Sequence, residues 1–267
     1  MKKTTLVMVG VLGMVMMSIP VWAHFQMIYT PEMARKKGGN IDLKMVFTHP
    51  YDAGHTMNME TPEQFFVVHK EEKKDLLNIL KPITWTSLTN SGNAYEASYR
   101  LRGMGDWVFC LKPSPYLEES EMVYIQQITK TVVNVAGMPT DWNAEVGLPA
   151  EIVPLNMPYN MLVGNVFRGI VKSDGKPVPF AEIEVEYLNH TPNMGKNAFE
   201  KAENAQTPAT FGWPTAIIAN AQGEFAYGIP KAGWWGFCAL GVGPKTEFKG
   251  KELSQDAVIW IEAGEMN

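Results

Sequence analysis

Along most of the chain, apolar and polar residues alternate in short runs broken by Gly, Asn, Asp and Pro, which is a strand pattern. The runs "IDLKMVFTH", "EQFFVVHK", "AYEASYRL" and "DWVFCLK" show alternation or enrichment in β-branched and aromatic residues. The stretch "SEMVYIQQITKTVVNVAG" has helical length, but its Val, Ile and Thr content predicts one long strand. No segment predicts a sustained helix. The charge run from Glu71 to Asp75 lies between apolar stretches and predicts a solvated hairpin tip.

The Pro-punctuated segment 147–160, "GLPAEIVPLNMPYN", interrupts this pattern, and strands restart after it with "MLVGNVFRGIVK" and "AEIEVEYLN". Asp174-Gly175 between two alternating runs predicts a hairpin turn, and Pro177 and Pro179 suit an edge or a loop. "ANAQGEFAYGIP", "KAGWWGFCALG" and "DAVIWIEA" supply further strands. The insert "HTPNMGKNAFEKAENAQTPATFGWP" is polar and rich in Gly and Pro, and predicts a loop. The expected fold class is all-β, with two β-sandwich (immunoglobulin-like) domains. A β-rich N-terminal domain spans 24–146, a connection 147–160, and an immunoglobulin/transthyretin-like sandwich 161–267.

The first residues follow another pattern. Lys2 and Lys3 precede an uncharged, apolar run from Leu6 to Trp22 that ends in Val21-Trp22-Ala23. This predicts a secretory signal peptide over 1–23, cleaved after Ala23, and an exported protein that does not span the membrane once processed. The apolar run, 17 residues long, is marginal for crossing a bilayer. Loss of Lys2 and Lys3 leaves 21 basic against 28 acidic residues, a formal charge of −7. That balance argues against nucleic acid as a partner, because phosphate binding needs clustered Lys and Arg.

Cys110 and Cys238 are the only cysteines. Their strand contexts, "WVFCL" and "GFCAL", predict buried free thiols, and their spacing is not that of a Cys-based metal site. No G-x-S-x-G, H-E-x-x-H, Walker or dinucleotide-binding pattern occurs. Glu182, Glu184 and Glu186 share one strand face, expected to be solvated. "GWWGF" offers rings for sugar stacking, but core packing at a tight turn is the plainer expectation.

The histidines carry the remaining chemistry. Cleavage after Ala23 makes His24 the first residue, so its α-amine and imidazole Nδ1 can chelate one cation. A free α-amine has a pKa of about 8, and imidazole suits Ni, Cu, Zn and Fe. In "FTHPYDAGHTMNMETPE", His49 ends a strand and His55 follows across a Pro50/Gly54 loop able to bring both rings to one point. Met57 and Met59 come next, with Asp52 and Glu60 as nearby carboxylates. The alternative is a surface loop with solvated histidines and core methionines. His69 and His190 are expected to be solvated strand-end residues.

Together, "AHFQM", "HPYDAGH-M-M", "GLPAEIVPL--PY", "GNVFRGIVKSDGKPVPFAEIEVEYLN" and "AGWWGFCAL" resemble the periplasmic nickel/cobalt-binding accessory components of energy-coupling-factor metal transporters. The resemblance runs over nearly the whole processed chain and is strongest from Gly147 to Leu240. It implies a protein, not an enzyme, that binds Ni²⁺ or Co²⁺ through His24, His49 and His55 and hands the ion to a nickel/cobalt membrane transporter. One departure stands out: where members of that family often carry His in a "V-H-Y-T-K" strand, this chain has "QQITK", with Gln127 at the matching position. Two other readings share these residues. One is a Cu²⁺-binding histidine-brace redox or copper-trafficking protein, with Met57 and Met59 as soft ligands for the latter. The other is a structural sandwich without metal.

Overall fold

The alternating pattern folds into strands almost throughout. The computed structural model describes residues 24–208 and 210–266, and its only helical element among the described residues is a 3₁₀ turn at Leu77–Ile79. The fold is therefore all-β, as expected. The signal peptide predicted over 1–23 lies outside the described residues.

A 12-stranded sheet forms the middle of the molecule. Its main path runs from Thr215–Ile218 through Glu182–Tyr187, Gly233–Ala239, Lys251–Gly264, Val123–Val135, Gly105–Lys112 and Gln64–His69 to Glu72–Asp75. The last strand, Lys251–Gly264, lies parallel to Val123–Val135, in register from Tyr124↔Leu253 to Thr131↔Trp260. Strands from both halves of the chain thus share one continuous sheet. A 6-stranded sheet begins with Phe25–Tyr29, Gly39–Thr48 and Ser91–Leu101, and a 4-stranded sheet is built on Ala150–Pro154 and Val166–Ser173. Within the Pro-punctuated segment, Ala150–Pro154 is a wholly buried strand.

Period-two alternation explains the layering. Phe65, Val67, Trp107, Phe109 and Leu111 pack with Ile41, Leu43 and Met45 of the 6-stranded sheet. Their sequence neighbours Phe66, Val68, Val108 and Cys110 face the other cluster, with Phe167, Val171 and Phe225 of the 4-stranded sheet. Ring contacts bridge the layers: Tyr99 lies 5.8 Å from Trp107 and Phe167 lies 4.7 Å from Phe237. The central strands are buried on both faces, each large side chain contributing about 1.5–3 kcal/mol.

Several local expectations hold. Val123–Val135 is one long strand, and Asp174 and Gly175, with φ of 44° and 75°, form the two-residue turn between paired Ser173 and Lys176. Both cysteines are buried and free, and Trp234, Trp235 and Phe237 of "GWWGF" are core residues.

Others need correction. The insert expected to be a loop contains a hairpin, His190–Asn193 with Ala198–Glu203, whose Ala198 pairs with Thr86 of the first half. Its apolar anchor is Phe199, packed edge-on against Trp85. The run 71–75 is not itself the tip. Lys70 and Glu71 turn with positive φ, and Glu72–Asp75 returns as an exposed edge strand. His69 is stacked on Trp107 at 3.7 Å, with Nδ1 2.8 Å from the Asp106 carbonyl oxygen. His190 is buried, Nδ1 lying 3.0 Å from the Glu200 carbonyl oxygen. The Glu182–Tyr187 strand lies inside the long sheet, so Glu184 and Glu186 are buried rather than solvated.

Candidate functional site

Strand pairing brings two of the expected ligands together. Phe25–Tyr29 pairs antiparallel with Gly39–Thr48, with Phe25 opposite Thr48 and Tyr29 opposite Lys44. One further step in that register sets His24 against His49. Their ring centroids are 4.5 Å apart, at an interplanar angle of 40°. The chain then turns sharply: Ala53 has φ 42°, and the Gly54 N–H donates to the His49 carbonyl at 3.1 Å. A Cβ on Gly54 would stand 3.3 Å from the His49 Cβ, so glycine permits the close return. His55 lines the same cleft, of about 370 Å³, together with Tyr116, Glu118 and Glu121. Its Nε2 lies 3.3 Å from the Asn90 side-chain amide nitrogen, which also donates to the Thr56 carbonyl.

The strand bearing His24 is held on its other edge by side chains. Gln127, Thr129 and Thr131 project at alternate positions of the long strand onto Phe25–Tyr29. The Gln127 side-chain oxygen accepts the Gln26 N–H at 2.8 Å, and its amide nitrogen donates to the His24 carbonyl at 2.6 Å. This side-chain amide thus takes the place of a neighbouring peptide group. Thr131 Oγ1 donates to the Ile28 carbonyl and Trp260 Nε1 to the Gln26 carbonyl. Gln127 is thus a backbone clamp directly behind His24.

The second half of the chain holds the His49–His55 loop. Glu186 Oε1 accepts the Tyr51 N–H at 2.8 Å, the Asn189 N–H donates to the Pro50 carbonyl, and the Tyr51 ring stacks on Trp213 at 4.7 Å. Met57 is in the core, and Met59, 6% exposed, receives Gln26 Nε2 at its sulfur. Neither Met57 nor Met59 lines the histidine cleft. A larger neighbouring cleft of about 510 Å³ contains Met59 and Gln127 but none of the histidines.

The electrostatics suit a cation. Burial first, then the His49 ring, push the His24 imidazole down to about 4 against an upward pull from Glu118. His24 is accordingly neutral near pH 7, the form in which an imidazole ligates. Partial burial raises the Glu118 carboxyl, but hydrogen bonds from Ser120, with His24 and His49 adding, bring its net shift below the usual carboxylate value. Glu118 Oε2 stands 3.6 Å from His24 Nε2. An ionised Glu118 beside the neutral His24 imidazole gives the cleft a negative charge, and Glu121 lines it as well. Among the described residues, no three or more His, Cys, Asp or Glu side chains are already gathered as a metal cage. Cys110 and Cys238 supply no thiolate, because burial raises both thiols strongly.

Sequence reasoning named His24 and His49 but missed Glu118, Ser120 and Tyr116. The His24–His49 approach was legible by pairing "HFQMIY" antiparallel with "KMVFTH". Glu118 gave no local sign, since it reaches the cleft from a separate short strand, Tyr116–Glu118.

A family model described as "Domain of unknown function (DUF4198)" matches residues 21–243. No curated protein matches the chain. Among solved structures, the D0-D1 domain of Intimin is 10% identical, covers 90% of this chain and 100% of its own, and has a TM-score of 0.24. The adhesin InvE of Yersinia pseudotuberculosis is 10% identical, over 88% of this chain and 58% of its own, at a TM-score of 0.24. A titin fragment, A168169, is 9% identical over 91% and 99%, at 0.21.

Proposed function

We propose that this chain, which belongs to the DUF4198 family of domains of unknown function, is a periplasmic binding protein for a divalent transition metal, Ni²⁺ or Co²⁺. The ion is its cargo, taken by the amine and imidazole of processed His24 with His49 and His55, and delivered to a membrane transporter. The role is binding and transfer, not catalysis. The observation that carries this reading is the 4.5 Å approach of the His24 and His49 rings in a cleft that His55 also lines. The neutral state of His24 beside an acidic wall supports it, because an imidazole must be deprotonated to ligate. The leader-like sequence before His24 supports export, and the resemblance to nickel/cobalt accessory components supports the transporter as partner. Among the described residues no helix is long and apolar enough to cross a membrane.

The test is calorimetry on protein whose N-terminus has been verified by mass as His24, titrated with Ni²⁺, Co²⁺, Cu²⁺ and Zn²⁺. A companion protein carries one glycine ahead of His24, which moves the α-amine out of chelating position. Ni²⁺ and Co²⁺ are expected to bind the processed protein and to lose affinity by about tenfold or more, about 1.4 kcal/mol, in the extended one. Cu²⁺ will bind any nitrogen site more tightly than Ni²⁺. A copper reading therefore needs reductant-dependent oxygen consumption by the copper-loaded protein. Unchanged Ni²⁺ and Co²⁺ affinity after the extension would sink the chelate.

A further inference from the structure

Glu118 is the last residue of the strand Tyr116–Glu118, which is fixed against the long strand by pairing of Glu118 with Val123. Its two oxygens have different duties. Oε1 accepts two hydrogen bonds from Ser120, one from the backbone N–H at 3.1 Å and one from the hydroxyl at 2.7 Å. Oε2 is left facing His24 Nε2 at 3.6 Å, with the two side chains only 18% and 11% exposed. That distance is a few tenths of an ångström beyond hydrogen-bond range and closes with a small ring rotation. Phe47 and Tyr116 flank the His24 ring, at 5.5 and 6.3 Å between centroids, and limit other rotations.

A neutral imidazole carries its proton on one nitrogen, and the partner of that nitrogen decides which. Chelation by the terminal residue uses the α-amine and Nδ1, so Nδ1 must keep its lone pair and Nε2 must hold the hydrogen. A carboxylate is acceptor-only, and one aimed at Nε2 selects that arrangement. We propose that Glu118, oriented by Ser120, is a positioning residue that holds His24 in the Nε2–H tautomer and so keeps Nδ1 open for the metal. This rests on the reading of His24 as the chelating terminus. It adds a carboxylate behind the imidazole, an arrangement that orients metal-binding histidines and raises their basicity.

The substitution Glu118→Gln makes a sharp test. Both Ser120 groups donate to Oε1, so the new side chain must present its carbonyl oxygen to Ser120 and its NH₂ group to His24. An NH₂ donor facing Nε2 reverses the preference and drives the proton to Nδ1. Nitrogen-15 NMR of the metal-free processed protein, above the titration of the ring, reads the tautomer directly. The parent is expected to show His24 as Nε2–H, E118Q as mainly Nδ1–H, and Ser120→Ala as a partial shift. Ni²⁺ affinity by calorimetry should fall about 10–100-fold in E118Q, with the melting temperature of the metal-free protein nearly unchanged.

A parent that is already Nδ1–H overturns the inference, as does an E118Q spectrum identical to the parent's. So does a crystal structure of the Ni²⁺-loaded protein in which Oε2 bonds the ion, since Glu118 would then be a ligand. If the tautomer switches as expected while neither protein binds Ni²⁺ or Co²⁺, the role of Glu118 stands and the metal reading falls. The two failures are thereby separable.

Discussion

Gln127 shows how much one side chain can decide. Its amide donates to the His24 carbonyl and accepts the Gln26 N–H, and the residue is 4% exposed. Gln127→Ala strips a donor and an acceptor from two backbone groups, the buried Gln26 N–H and the part-buried His24 carbonyl, a buried group costing about 1–3 kcal/mol when left unmade. The expected loss is about 2–4 kcal/mol, read from urea unfolding of the metal-free protein. A loss below about 0.5 kcal/mol, the scale of an ordinary surface substitution, would mean that water replaces the clamp. Gln127→Glu keeps the acceptor, loses the donor and sets a carboxylate near Asp256, whose Oδ2 is 3.4 Å from the present amide nitrogen. It should destabilise at least as much.

At the scale of elements, the first strand depends on a glycine far away in sequence. Gly236, in the middle of "GWWGF", has no positive φ to justify it. Its reason is space. A Cβ there would meet Phe25 Cδ1 and the Trp260 ring, all at 2.9 Å. Phe25 follows His24, so the ring that roots the first strand lies directly on this glycine. Gly236→Ala should cost about 1–3 kcal/mol, the usual penalty for overfilling a packed core, visible as a lower melting temperature. The His24 and His49 ring signals should move with Phe25. A variant as stable as the parent with unshifted histidine signals would show that the rings have slack to give.

At the scale of the molecule, the long sheet buries carboxyls where the two halves meet. Glu184 and Glu186 lie on one strand and Asp256 on the last, with Cys238 opposite Glu184. Burial, followed by Asp256 and Glu182, raises the Glu184 carboxyl to about 7, and burial also raises Glu186 and Asp256. Between the ordinary value of 4.5 and about 7, folded Glu184 keeps a proton that the unfolded chain has released. Stability is therefore greatest at the acidic end of that window and falls as pH rises through it. The slope approaches about 1.4 kcal/mol per pH unit for each such group. His24 acts oppositely, since its depressed value costs stability as pH falls from 6.5 towards about 4. Comparing Glu184→Gln with the parent cancels the His24 contribution. The variant should gain stability relative to the parent between pH 5 and pH 8, and parallel curves in urea unfolding would contradict the buried titration.

The sequence by itself determined the fold class, the long strand Val123–Val135, the turn at Asp174-Gly175 and the burial of both cysteines. These follow from local steric preference and period-two alternation, which act over a few residues. It also marked His24, His49 and His55 as the residues with ligand chemistry. Tertiary structure alone decided that Glu184 and Glu186 are interior, because solvation of a strand face depends on which sheet covers it. It decided that His69 and His190 are packed, and that the insert after residue 190 folds back onto the first half. Gln127 and Glu118 belong to the same class, since a clamp and a carboxylate meet His24 only when strands about 100 residues apart come into register. Such contacts arise from long-range pairing, for which alternation specifies the face but not the neighbour.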